Sequence, residues 1–267
     1  VGGARAEQTI ERLAYYRHVA SRMMPFLRDH SVVVHREDTG GLSTPALEDP
    51  VFIAGEDDLL ILVEQGAAGF QMGLRARTGE VWFALAVTAP ELPFDAVRLT
   101  ALKLLLVLDD LDIAYLVLLD GDRSLIAVWT WGAADPDELP GGLWGFERTV
   151  AARLRDRLED RFAGTRERDR IGRWIGYDGP VTRMGDAFNA GGQIVTLDTG
   201  LLAPTGLMRV PYSLHEGTGL AAIPLTHSDL YTLRPEEAAT AGRARRLRRT
   251  FEVPINFPRE TGRILEV

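Results

Sequence analysis

The chain has 267 residues, 46% of them hydrophobic and 25% charged, with a net charge of −8. This is the make-up of a globular protein long enough to bury a substantial core, and its acidity argues against coating nucleic acid with the whole surface. It has no cysteine, which excludes disulfides and thiolate metal sites and fits a cytoplasmic setting. No apolar run reaches the length of a membrane span, and the first residues lack the apolar core of an export signal.

Apolar residues recur at helical spacing over 9–27 (Ile10, Leu13, Tyr16, Val19, Met23, Leu27), which predicts a helix packed by one face. Short strands are predicted at 31–34 and 51–54, on either side of a Gly/Pro-rich loop over 39–50. A helix over 57–65, closed by Gly66, leads to a strand at 70–74. Residues 81–87, VWFALAV, read as a strand buried on both faces. Residues 93–111 form the clearest helix, with Val97, Ala101, Leu104, Leu105 and Leu108 on one stripe.

Strands at 113–119 and 125–131 follow, joined by the turn Asp120-Gly121-Asp122. Trp129 and Trp131 share a strand face, so core packing and base stacking are both open to them. A second long helix is predicted over 143–162 and a turn-rich stretch over 177–192. Strands at 194–197 and 220–225 flank a polar hairpin. A basic helix over 235–249 carries Arg243, Arg245, Arg246, Arg248 and Arg249, a run that fits DNA backbone or a plain exposed face. Helices and strands mix without strict alternation, so the fold class expected is α+β. We expect one domain over 1–267, built as two sheet-based lobes around a cleft with flanking helices.

The hairpin, RVPYSLHEGTGLAAIPL over 209–225, offers a guanidinium, a hydroxyl and an imidazole in one unit. Its order, Arg-x-Pro-Tyr-Ser-Leu-His then Thr-Gly and an apolar strand, resembles the last block of archaeo-eukaryotic primases. It is most similar to the polymerase domain of the end-joining enzyme ligase D. Tyr15-Tyr16 with Val19-Ala20 and Met24-Pro25 looks like that family's first helix, and Glu64-Gln65-Gly66-Ala67 like its next turn. The succession of strand 81–87, Pro loop 90–93, leucine-rich helix and strand-turn 118–126 repeats the family layout.

The resemblance implies a nucleotidyltransferase acting on DNA or RNA with manganese or magnesium. It also implies phosphate contacts at Arg36, Arg123, Arg209, Ser213 and His215. Two divalent cations need carboxylates a few ångströms apart. The paired-aspartate position here reads Ala84-Leu85-Ala86, and alanine offers no oxygen ligand. On the same register the family's lysine falls on Leu118, its serine on Asp120 and its histidine on Ile126. Gly121 and Arg123 survive. A third carboxylate is retained as Asp198, thirteen residues before Pro211, but one carboxylate is seldom sufficient for such a site, and a turn aspartate reads equally well there.

The expectation is therefore a catalytically degenerate relative, without a cofactor, that binds DNA ends or a ligase, polymerase or Ku-like partner in repair or replication. Two alternatives stand beside it. One is an active polymerase or primase whose metal site has moved to Asp120, Asp122 and Asp198. The other is an interaction subunit with no nucleic-acid role.

Overall fold

A computed structural model describes residues 2–36, 50–133, 139, 141–176, 178–185, 193–247 and 252–256. Most of the loop expected over 39–50, much of the turn-rich stretch over 177–192, and Arg248 and Arg249 lie outside the described residues.

The long opening helix α1 (Gly2–Leu27) buries Tyr15, Tyr16, Val19, Ala20, Met23 and Leu27 along one side. Strand β1 (His30–Arg36) and helix α2 (Glu56–Glu64) follow. Gly66, at φ +96°, then turns the chain into β2 (Ala67–Ala76), a left-handed conformation that glycine adopts without steric cost. The strand expected over 51–54 reduces to a bridge between Val51 and Val32.

β2 leads into β3 (Glu80–Thr88), in which every residue after Glu80 is buried. Helix α3 (Phe94–Asp110) begins behind Pro93 with Asp95 in its first turn, an arrangement that suits the positive end of a helix. It delivers the chain to β4 (Leu116–Leu119) and β5 (Leu125–Ala133). Helix α4 (Gly142–Phe162) ends at Ala163. A separate α5 (Arg166–Ile175) is capped by the Thr165 hydroxyl and closed by Gly176.

The second half contributes β6 (Thr182–Gly185), β7 (Val195–Asp198), β8 (Leu207–Arg209) and β9 (Ile223–Leu225). Short helices α6 (His227–Leu230), α7 (Pro235–Ala238) and α8 (Ala241–Arg246) close it. The basic helix expected over 235–249 is thus two pieces, because the Thr240 hydroxyl accepts from Arg243 N and starts a new helix. Among the described residues no helix is long and apolar enough to cross a membrane.

The sheet runs β1-β2-β3-β5-β4-β9, all neighbours antiparallel. β2 and β3 meet in register only at Arg75 and Val81. Past that point β8 pairs with β2 and β7 with β3, while β6 runs parallel to β7. The β2–β3 hairpin therefore opens into two arms of one curled sheet. The architecture is α+β, as expected.

Phe83, Trp129 and Trp131 lie on the helix-covered face of the sheet. Phe83 stacks on Trp129 at 4.4 Å, and Phe146 of α4 meets Trp131 edge-on at 6.1 Å. Both tryptophans are core residues, at 0% and 4% exposure. Side chains alternate along a strand, so Ala84 and Ala86 point to the opposite face, into the angle between the arms.

Candidate functional site

That angle holds a cavity of about 430 Å³ with walls from both arms: Ala86, Ile126 and Asp198 on one side, Met208, Arg209 and His215 on the other. Three adjacent strands set the first wall. Ala86 of β3 pairs with Ile126 of β5 on one edge and with Asp198 of β7 on the other. Ile126, Ala86 and Asp198 thus stand abreast in one row. Ala84 lies two residues back on the same face, opposite Val128. It is fully buried and Ala86 is 4% exposed.

β7 brings Asp198 opposite Ala86, and Ala84 and Ala86 of β3 offer only methyl groups there. Asp198 Oδ1 accepts from Gly200 N at 2.7 Å, at the start of the 3-10 turn Gly200–Leu202.

Asp120 and Asp122 reach the same cavity from the β4–β5 turn. Asp120 Oδ1 accepts from Asp122 N at 2.9 Å and from Ser124 N at 3.2 Å, the geometry of an Asx turn. Burial pushes the Asp120 carboxyl up to about 6, against those hydrogen bonds and the nearby Arg209 guanidinium. Gly121, at φ +84°, lets the 218–222 backbone pass close by, since a Cβ there would sit 2.8 Å from Leu220 O. The Thr218 hydroxyl fastens the two turns by donating to Gly121 O at 2.7 Å. Among the described residues no group of three or more His, Asp or Glu side chains is placed to hold a metal ion.

The opposite wall is the hairpin after β8. Arg209 pairs with Gln71 of β2 and is 6% exposed. Its Nη1 donates to Leu214 O at 3.1 Å and lies 2.8 Å from the Glu216 carboxylate. Gly69 makes this possible, because a Cβ there would collide with Leu214 O. Burial works against the charge of Glu216, but Arg209 overrides it and holds the carboxyl down at about 2.

The Nδ1 atom of His215 accepts from Gly217 N at 3.0 Å and Thr218 N at 3.3 Å. A neutral ring therefore carries its proton on Nε2. Burial, then Arg209, lowers the pKa of this histidine.

The other sequence candidates are placed elsewhere. Ser213 is fully buried, and its Oγ accepts from Phe70 N at 2.7 Å; its hydroxyl ties the hairpin to β2. Arg36 is exposed at the end of β1. Arg123 is half-buried, its guanidinium against Leu92 O at 3.5 Å; neither arginine lines the cavity.

Arg243, Arg245 and Arg246 lie on α8, away from that cavity. Arg245 covers the Tyr15 ring at 5.6 Å, while Arg243 and Arg246 are exposed. Arg22 of α1 binds the carbonyls of Ala244, Arg245 and Leu247, so α8 is docked on α1.

Motif reading passed over two contributions. Tyr15 Oη donates to Tyr212 O at 2.7 Å, and Tyr16 Oη accepts from Leu214 N at 3.1 Å while donating to Ala68 O at 2.9 Å. The Tyr15-Tyr16 block and the hairpin block are therefore physically one unit. Glu216, inside the hairpin motif itself, is the second; an acid directly after the Ser-Leu-His triplet was the available signal.

No protein-family model and no curated protein matches the sequence. Among solved structures, the chain is similar to the polymerase domain of Mycobacterium tuberculosis ligase D, determined in complex with DNA. The TM-score is 0.63 over 89% of this chain and 87% of that one, at 16% sequence identity. The two arms, the row on β3 and the tyrosine-bound hairpin are thus parts of a primase-like polymerase fold.

Proposed function

We propose that this chain, taken as one domain over 1–267, keeps the polymerase scaffold without nucleotidyl transfer and serves as a binding protein in DNA repair or replication. The observation that carries this is the row Ile126–Ala86–Asp198 with Ala84 behind it. Two-cation transfer needs several oxygen donors converging on each ion. β3 supplies methyl groups where donors are needed, Asp120 is engaged by its own turn, and Asp198 by Gly200. The residues present do not fit a two-cation site.

Phosphate also meets an unfavourable field in this cavity. Asp120, Asp122 and Asp198 line it, and Arg209, which lines it too, already holds a carboxylate. DNA is the partner class favoured, because the similar ligase D domain was solved with DNA and Arg243 and Arg246 stand exposed outside the cavity. A non-catalytic place beside a ligase, polymerase or Ku-like protein is consistent with the same scaffold.

Primer extension with manganese and all four nucleotides tests the loss of transfer. No incorporation is expected; incorporation abolished by Asp198→Ala would overturn the proposal. DNA binding is read by anisotropy across a salt series, where Arg243→Gln with Arg246→Gln is expected to flatten the salt slope.

A further inference from the structure

Arg209 is nearly buried, lines the cavity, and is met from inside the protein by an anion. The Glu216 oxygen nearest to it is 2.8 Å from Nη1, and Arg209 holds that carboxyl in its charged form against burial. The second carboxylate oxygen lies 3.9 Å from His35 Nδ1, and His35 is itself buried, with Nε2 unpartnered. Glu216 comes from the turn between His215 and Gly219, whose tip at Gly217, Thr218 and Gly219 is exposed.

We propose that Glu216 is an internal plug. Its carboxylate occupies the guanidinium of Arg209 as an external oxyanion would, so the native chain carries an anion subsite closed by its own hairpin. The ligand class is a phosphate-type oxyanion. A guanidinium fork matches two of its oxygens, and the Nε2–H of His215, on the same wall, adds a donor that Gly217 and Thr218 leave unused. A carboxylate and a phosphate oxygen compete for the same Arg209 donors, so removing the first opens the place for the second. The inference concerns who occupies Arg209 and stands whether or not the cavity transfers nucleotides.

The test is calorimetric titration with inorganic phosphate and with pyrophosphate at constant ionic strength, on variants whose folding is checked by circular dichroism. Glu216→Gln is expected to bind at least about tenfold more tightly than the native chain. Adding Arg209→Gln to it is expected to return binding to the native level. Should the glutamine variant fail to fold, Glu216→Asp keeps the charge in the turn but draws it back from Arg209, and is expected to bind more tightly than the native chain. A folded Glu216→Gln or Glu216→Asp protein that binds no better than the native chain overturns the plug. So does tight binding that survives in the Arg209→Gln, Glu216→Gln double variant. Primer extension by the native protein would contradict only the function proposed above.

Discussion

The two walls of the cavity are built in opposite ways. On β3 and β5 Ala84, Ala86 and Ile126 present hydrocarbon, continuous with a core in which Ala84 is fully buried. On the hairpin polar side chains are turned inward. Arg209 faces Glu216, Ser213 holds Phe70 N, and His215 Nδ1 is taken by its own turn. One wall offers hydrocarbon from β3 and β5, and the other satisfies its polar groups internally. A polar motif can be kept for the structural bonds its side chains carry, whereas a carboxylate on a buried strand brings a desolvation cost unless a cation offsets it.

The largest expected effect comes from placing acids on β3. Ala84→Asp places a carboxylate opposite Val128 in a dry stretch of sheet and is expected to cost about 3–5 kcal/mol, or to prevent folding. Ala86→Asp stands at the cavity wall beside Asp198, where water can reach it, and is expected to cost about 1–2 kcal/mol. Urea denaturation with and without manganese measures both. The comparison breaks if the double variant folds normally, gains stability from manganese and extends a primer, because β3 would then be a metal site lacking only its ligands.

The hairpin wall is tested by Ser213→Ala. Loss of the hydroxyl leaves Phe70 N unpaired in a fully buried place, which is expected to cost about 1–3 kcal/mol by chemical denaturation. Unchanged stability would mean that the hydroxyl is not the structural bond described here, and would return Ser213 to the pool of ligand contacts.

Much of this was legible from residue pattern. The run VWFALAV reads as a strand buried on both faces, as β3 is, and the turn Asp120-Gly121-Asp122 joins β4 and β5 as expected. It was the resemblance to the ligase D polymerase domain that grouped Ala86, Ile126 and Asp198, and the strand pairing brings the three together, with Ile126 and Asp198 on either edge of Ala86. What pattern could not show is direction. Ser213 and His215 read as ligand contacts because hydroxyls and imidazoles bind phosphate. Whether a hydroxyl points into a cleft or onto β2 depends on hairpin geometry, here including the left-handed Tyr212 at φ +68°.

Glu216 was hidden for a related reason. Its partner is seven residues earlier, and only the fold of the turn brings the two within 2.8 Å. The pattern placed the end of α4 at Phe162, but the alternating charges beyond it hid the separate helix α5.

The smallest effect bears on the group that lies between the two walls. Burial raises the Asp120 carboxyl to about 6 in the folded protein, against about 4 in an unfolded chain. The folded state therefore holds this proton more tightly than the unfolded one. Its contribution to stability is fully present below about pH 4 and is lost as the pH rises through about 6. At neutral pH the ionised carboxylate is a net cost, set by desolvation and by Asp122, and only partly offset by Arg209.

Asp120→Asn keeps an oxygen for Asp122 N and Ser124 N and removes the charge. It is expected to stabilise the protein by about 1–2 kcal/mol at pH 7.5 and to change little at pH 4, read as the difference between paired urea melts. If the asparagine variant is instead less stable at pH 7.5, and manganese stabilises the native chain but not the variant, then Asp120 holds a cation. The divergence of the two walls would then be a relocation of the site across the cavity, with Asp120, Asp122 and Asp198 as its ligands.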